Sequence, residues 1–232
     1  MKRLTIGLAV ALLAPVRIWA AIGCTLSNPA QDLKYLFPEM SSYKEDLKEF
    51  TRLSDGKQLF QSMSQRLGSD LDPIYETFET PDTVYSVYKG QMKIGVVHGV
   101  NVPGKGGVMQ VFLSMDPKTA EIRRFFFQRL ESPAAKALRD KDFRKQFEGL
   151  TLADFYKHDY YAVAEPGAAG DRVGQIKPPK IGPEGKPDYE ASLRGIRKNL
   201  ILLDFFVYGG RFEPFFERAK EVRTIRTKGG IK

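Results

Sequence analysis

Two short stretches carry residue types that could handle an anionic ligand. In Gly104-Lys105-Gly106-Gly107 the missing side chains let backbone approach a phosphate, or another chain segment, closely. Glu131-Ser132-Pro133 sets a hydroxyl and a proline at the start of a helix, where the first N–H groups are unpaired and the dipole end is positive. That start suits a phosphate or an electron-rich carbonyl. Serine ahead of proline also caps a helix with no ligand present, and the sequence leaves both uses open.

Other chemistry is poorly provided for. Cys24 is the only cysteine, which excludes an intramolecular disulfide, a cysteine-based metal cluster and a CxxCH haem attachment. His98 and His158 are too few for a histidine-rich metal site. Neither stands at a recognisable spacing from a serine or cysteine with an orienting carboxylate, so no catalytic residues are assigned. His98, in a strand beside Gly99, is expected to be buried and hydrogen-bonded. Asp140 with Asp142, and Glu45 with Asp46, read as solvent-facing helix charges rather than acid/base pairs.

The elements that must position these residues follow from periodicity. Asp32–Phe37 reads as a short helix or turn. Leu47 with Phe50 marks one apolar stripe; Leu59, Phe60, Met63 and Leu67 mark a helical one, closed by Gly68. β-Branched and aromatic residues predict strands over Ile74–Phe78 and Thr83–Tyr88, with Lys89-Gly90-Gln91 turning into a partner strand over Met92–Val100. Asn101 to Gly107 reads as a loop, and strands follow over Gly107–Met115 and Ile122–Leu130, joined by a turn at Asp116-Pro117-Lys118. Short helices after Pro133, from Asp142 to Phe147 and behind Thr151 come next, then a helix over Tyr189–Phe206 with Leu193, Ile196, Leu200 and Leu203 inward and Arg194, Arg197 and Lys198 outward. Short turns between successive strands imply an antiparallel meander. The expected fold class is therefore α+β: a twisted antiparallel sheet, helices mainly on one face, and a long C-terminal helix.

The chain ends speak to location. Met1-Lys2-Arg3 followed by LTIGLAVALLAPV has the charged start and short apolar run of an export signal, and Arg17 closes it before it is long enough to span a bilayer. Ile18-Trp19-Ala20 permits ordinary cleavage, while Ala21-Ile22-Gly23-Cys24 is similar to a lipobox, with Ala21 where leucine is usual; Cys24 is thus a lipidation candidate. The expected location is the periplasm, free or as a membrane-anchored lipoprotein. The net charge of +8 falls to about +5 once Lys2, Arg3 and Arg17 are removed, and much of the excess lies in Arg218–Lys232. Such an end suits anionic headgroups or an acidic partner, and nucleic acid is not expected of an exported chain without a basic aromatic platform.

The order of these motifs resembles the FMN-binding domain family, found in flavin-carrying periplasmic subunits of the Rnf and sodium-pumping quinone reductase complexes and in the regulator of nitrous oxide reductase. Gly106-Gly107 is similar to that family's entry to a central strand, and Asp116-Pro117 to its hairpin turn. Glu131-Ser132-Pro133 is similar to the Glu-Thr-Pro beside the flavin, and Phe143-Arg144-Lys145-Gln146-Phe147-Glu148-Gly149 to its Phe-x-x-Gln-Phe-x-Gly. The attachment motif Ser-Gly-Ala-Thr, whose threonine takes the flavin phosphate, corresponds to Tyr189-Glu190-Ala191-Ser192, with Glu190 in the place of glycine. The resemblance implies FMN as cofactor, with Gly106, Gly107, Glu131, Ser132 and Ser192 as its site, and electron transfer to an envelope partner rather than substrate processing. The alternative is a cofactor-free envelope protein that uses the same fold to bind a partner.

The implied organisation is an export signal over 1–23, a helical and strand extension over 24–82, and the FMN-binding-like domain over 83–206. A Gly/Pro-rich insert interrupts that domain at about 165–187, and a basic tail runs over 207–232.

Overall fold

A computed structural model describes residues 24–158 and 170–228; the expected export signal over 1–23, the start of the Gly/Pro-rich insert with the residues just before it, and the last four residues lie outside the described residues. Its centre is a five-stranded antiparallel sheet, in the order β1 (Ser42–Lys48), β2 (Asp82–Lys89), β3 (Met92–Gly104), β4 (Gly107–Met115) and β5 (Ile122–Arg129). Every neighbour in the sheet is a neighbour in sequence, which short turns dictate. The fold is α+β, as the strand and helix periodicities require.

Alternation along the strands sorts two unequal cores. One face carries Val84, Val96, Val100, Val111, Leu113 and Phe125, and packs against α2 (Gly56–Leu67) and the long α6 (Lys186–Phe206). α3 (Ala135–Leu138), α4 (Lys141–Lys145) and α5 (Leu152–Tyr156) extend this core, where Phe125 meets Phe143 and Phe147 edge to face. The other face carries Tyr85, Val97 and Phe112 under the short α1 (Pro29–Leu36) and the segment that begins at Cys24. Each such fully buried ring contributes about 1.5–3 kcal/mol relative to exposure.

Four expectations are corrected. Ile74–Phe78 is a series of turns, because Asp72 bonds the Ile74 N–H at 3.0 Å and the Thr80 hydroxyl takes the Thr77 N–H at 2.9 Å. β1, unexpected, forms the sheet edge. Its Lys44, Glu45, Asp46 and Lys48 suit an edge exposed to water, and the first two acids among them stand on a strand, not a helix. Asn101–Pro103 continue β3 rather than looping, so the hairpin narrows to Lys105-Gly106 between paired Gly104 and Gly107. Finally, Lys198 does not face solvent. It is fully buried, with Nζ 2.7 Å from the Glu76 carboxylate and donating to the Asn101 carbonyl at 3.0 Å.

The described segments before residue 83 and after residue 206 join the same body. Phe50 and Met63, which precede residue 83, lie in the main core. Within the basic tail, α7 (Glu213–Lys228) follows the long helix, with Phe216 and Ala219 buried and Phe215 exposed. Among the described residues no helix is long and apolar enough to cross a membrane.

Candidate functional site

Two of the segments singled out in the sequence, Gly104–Gly107 and Glu131–Pro133, are joined by one carboxylate that was not. Asp188, in the first turn of α6, is fully buried. Its Oδ1 accepts the Lys105 N–H at 2.6 Å, and its Oδ2 accepts the Ser132 hydroxyl. One acid therefore ties the β3–β4 hairpin and the chain leaving β5 to the start of the long helix. Sequence patterning identifies Asp188 only as an acid in the first turn of a helix, where the dipole favours it; its partners come from distant segments.

Each predicted residue has a definite place around this carboxylate. Gly106 lies under the chain at Glu131: a Cβ there would fall 2.0 Å from the Glu131 carbonyl oxygen. Gly107 has φ +128°, a region that a side chain disfavours. The glycines thus serve a close approach of protein backbone. Glu131 is exposed and pairs with Arg129 at 2.9 Å. Ser132, besides binding Asp188, accepts the Ala134 N–H at 3.0 Å and so caps the turn into α3. Ser192 is fully buried and donates to the Asp188 carbonyl, one helical turn back, at 2.7 Å.

This arrangement is unfavourable for a covalent flavin phosphate. The Ser192 hydroxyl is spent inside its own helix, and the Asp188 carboxylate between the glycine turn and Ser132 would repel a phosphate. α3 is also a single turn of four residues, too short to sum a useful dipole.

Two grooves flank the start of α6. One, of about 570 Å3, runs along Gly104, Lys105, Glu190 and Arg194. It mixes charges, and Arg197 on its wall is held by Asp70 at 2.5 and 2.9 Å. The other, of about 650 Å3, opens beside Pro133 between α3–α4 and residues 177–184. Its walls bring apolar Ala137, Pro178 and Pro179 together with Lys136, Lys177 and Lys180, and with the acids Asp140 and Glu184. Gln146 fixes the outer wall, accepting the Lys177 N–H at 2.8 Å and donating to the Lys177 carbonyl at 3.1 Å. The described end of the Gly/Pro-rich insert is thereby pinned to the Phe-x-x-Gln-Phe-x-Gly segment. Apolar walls with a few placed charges are what a planar anionic ligand requires of a noncovalent site.

The remaining candidates are structural. His98 is fully buried, with Nδ1 2.8 Å from the Asn199 side-chain oxygen and Nε2 3.4 Å from Asp82. It locks β2 and β3 to α6, as a buried hydrogen-bonded histidine should. Asp140 caps α4 by accepting the Asp142 and Phe143 N–H groups. Cys24 is buried, and burial foremost pushes its thiol up to about 12, so the thiolate that reacts is scarce. Among the described residues, no three metal-binding side chains converge.

No protein-family model matches the chain, and no curated protein sequence matches it.

Proposed function

We propose that this protein is an exported flavin carrier that binds FMN noncovalently and serves electron transfer in the cell envelope. The observation that carries the reading is the groove beside Pro133. There Ala137, Pro178 and Pro179 offer apolar contact, and Lys136, Lys177 and Lys180 offer positive charge to a phosphate, against the two acids Asp140 and Glu184. It adjoins Ser132-Pro133, the motif whose likeness to Glu-Thr-Pro motivates the cofactor. When bound, the flavin supplies one- or two-electron chemistry. The chain's own part is to bind and orient it: Gln146 holds the Lys177 backbone, and with it the lysine wall, in place. Asp188 braces the first turn of α6 from beneath.

The export signal and the buried Cys24 favour release into the periplasm over lipid anchoring, because a thioether-linked lipid would require Cys24 to leave the core it shares with Leu26 and Phe112. A second reading, a cofactor-free partner-binding module, is favoured by Asp188 and Ser192, whose bonds within the protein leave no place for an attached phosphate. The visible spectrum of purified protein, followed by titration with FMN, separates the two. Quenching of flavin fluorescence on addition of protein, lost in Lys177→Glu/Lys180→Glu, supports the carrier. A colourless preparation that takes up no FMN sinks it and leaves the module.

A further inference from the structure

A third groove lies where the C-terminus of α2 meets α5, α6 and α7, and it shares Asp70 and Arg197 with the groove along Gly104 and Arg194. It measures about 750 Å3. Its floor is the Arg66 guanidinium, 3% exposed and held from several sides. Nε donates to the Tyr156 hydroxyl at 3.1 Å and Nη2 to Asp204 at 2.5 Å, while the guanidinium carbon lies 4.7 Å from the Phe205 ring centroid. Nη1 has no such partner among the described residues. Since no buried side-chain nitrogen or oxygen there is left unsatisfied, Nη1 must reach the open groove that Arg66 lines.

The cations around it are themselves paired, so Arg66 is the group that carries the site. Arg197 and Lys220 stand on the walls, and among the described residues Asp70 is the one acid lining the groove, with its carboxylate engaged by Arg197. Lys220 is paired with Glu217 on its own helix at 2.9 Å, an exposed pair that water screens. Leu67 and Phe216 complete the lining with apolar surface. A guanidinium immobilised before any ligand arrives loses little side-chain freedom on binding, and its low-dielectric setting strengthens attraction to an anion.

We infer that this groove is a binding site for small organic anions, with a carboxylate or phosphate head on Arg66 Nη1 and a short apolar body against Leu67 and Phe216. It is separate from the groove beside Pro133 and stands whether or not flavin is bound there. A purely structural Arg66, needed only to neutralise Asp204, would ignore such ligands.

The test is an NMR titration of the purified protein with hexanoate and with phenyl phosphate, and with hexanol and phenol as their neutral counterparts. The expected result is a saturable shift of the amides of residues 65–70 and of the Arg66 Nε–H signal with at least one anion, and none with the neutral counterparts. Which anion binds more tightly tells a carboxylate site from a phosphate site. Lys220→Glu, on the exposed wall, should weaken binding roughly tenfold, while Lys136→Glu, in the other groove, should leave it unchanged. No saturable response to either anion, an equal response to the neutral counterparts, or binding that survives Lys220→Glu overturns the inference.

Discussion

The Asp188 carboxylate accepts the Ser132 hydroxyl across 56 residues of sequence, and its second oxygen takes the Lys105 N–H. Two turns that glycine, serine and proline make locally are thereby fixed to one another. Replacing Asp188 by alanine leaves the part-buried Lys105 N–H and Ser132 hydroxyl without their acceptor. The expected loss is about 1–3 kcal/mol, from two part-buried hydrogen bonds to a carboxylate. Ser132→Ala should lose about 1–2 kcal/mol. Combining the two should cost less than their sum, because they remove one shared bond. Urea unfolding of the two single variants and the double variant measures this coupling; strict additivity would show that the bond contributes nothing.

The Glu76–Lys198 pair gives a pH signature. Burial foremost raises the Glu76 carboxyl above its ordinary 4.5, against the pull of Lys198. An acid raised on folding binds more protons in the folded state between its two values, so its contribution to stability declines as pH rises through that window. Glu76→Gln should abolish that decline and, by stranding a buried ammonium, destabilise the protein by about 3–5 kcal/mol near neutral pH. Glu76→Leu with Lys198→Met should recover most of the loss. Denaturant midpoints measured across pH 4 to 7 check both the slope and the rescue.

Cys24 permits a direct check of anchoring. With its thiol buried and pushed up to about 12, alkylation of the native protein should be slow at pH 8, and rapid and complete in denaturant. A thiol carrying a lipid would never react. Counting reacted thiols by mass spectrometry, with and without denaturant, distinguishes a free cysteine in the core from a lipidated one.

The meander was legible because β2 to β5 alternate and are joined by glycine, proline and aspartate turns at short spacing. β1 was not, since an edge strand such as Ser42–Lys48 is mostly exposed and carries no apolar face. The burial of Lys198 was equally hidden: helical periodicity reports which side an amphipathic residue starts from, and cannot see that Glu76 arrives to neutralise it. The site was half legible. Ser132 and Ser192 both bond to Asp188, whose long-range partners no local pattern encodes, while Gly106 and Gly107 meet the chain at Glu131.

Gln146 provides the sharpest separation of binding from folding. Its amide makes both a donor and an acceptor bond to the Lys177 backbone, near the surface, so each is worth only about 0.5–1.5 kcal/mol. Gln146→Ala should therefore lower global stability by no more than about 1–3 kcal/mol. Its effect on the groove should be larger in kind. Without the clamp, residues 177–184 must be ordered by the ligand itself, and that ordering is subtracted from the affinity. Under the carrier reading, FMN should bind Gln146→Ala roughly tenfold more weakly, while Gln146→Glu keeps the acceptor for the Lys177 N–H but places a negative charge beside the phosphate-binding lysines and should bind more weakly still. Fluorescence titration alongside thermal unfolding reads the two effects separately. Equal FMN affinity in the parent and both variants would remove the groove beside Pro133 from consideration as the flavin site.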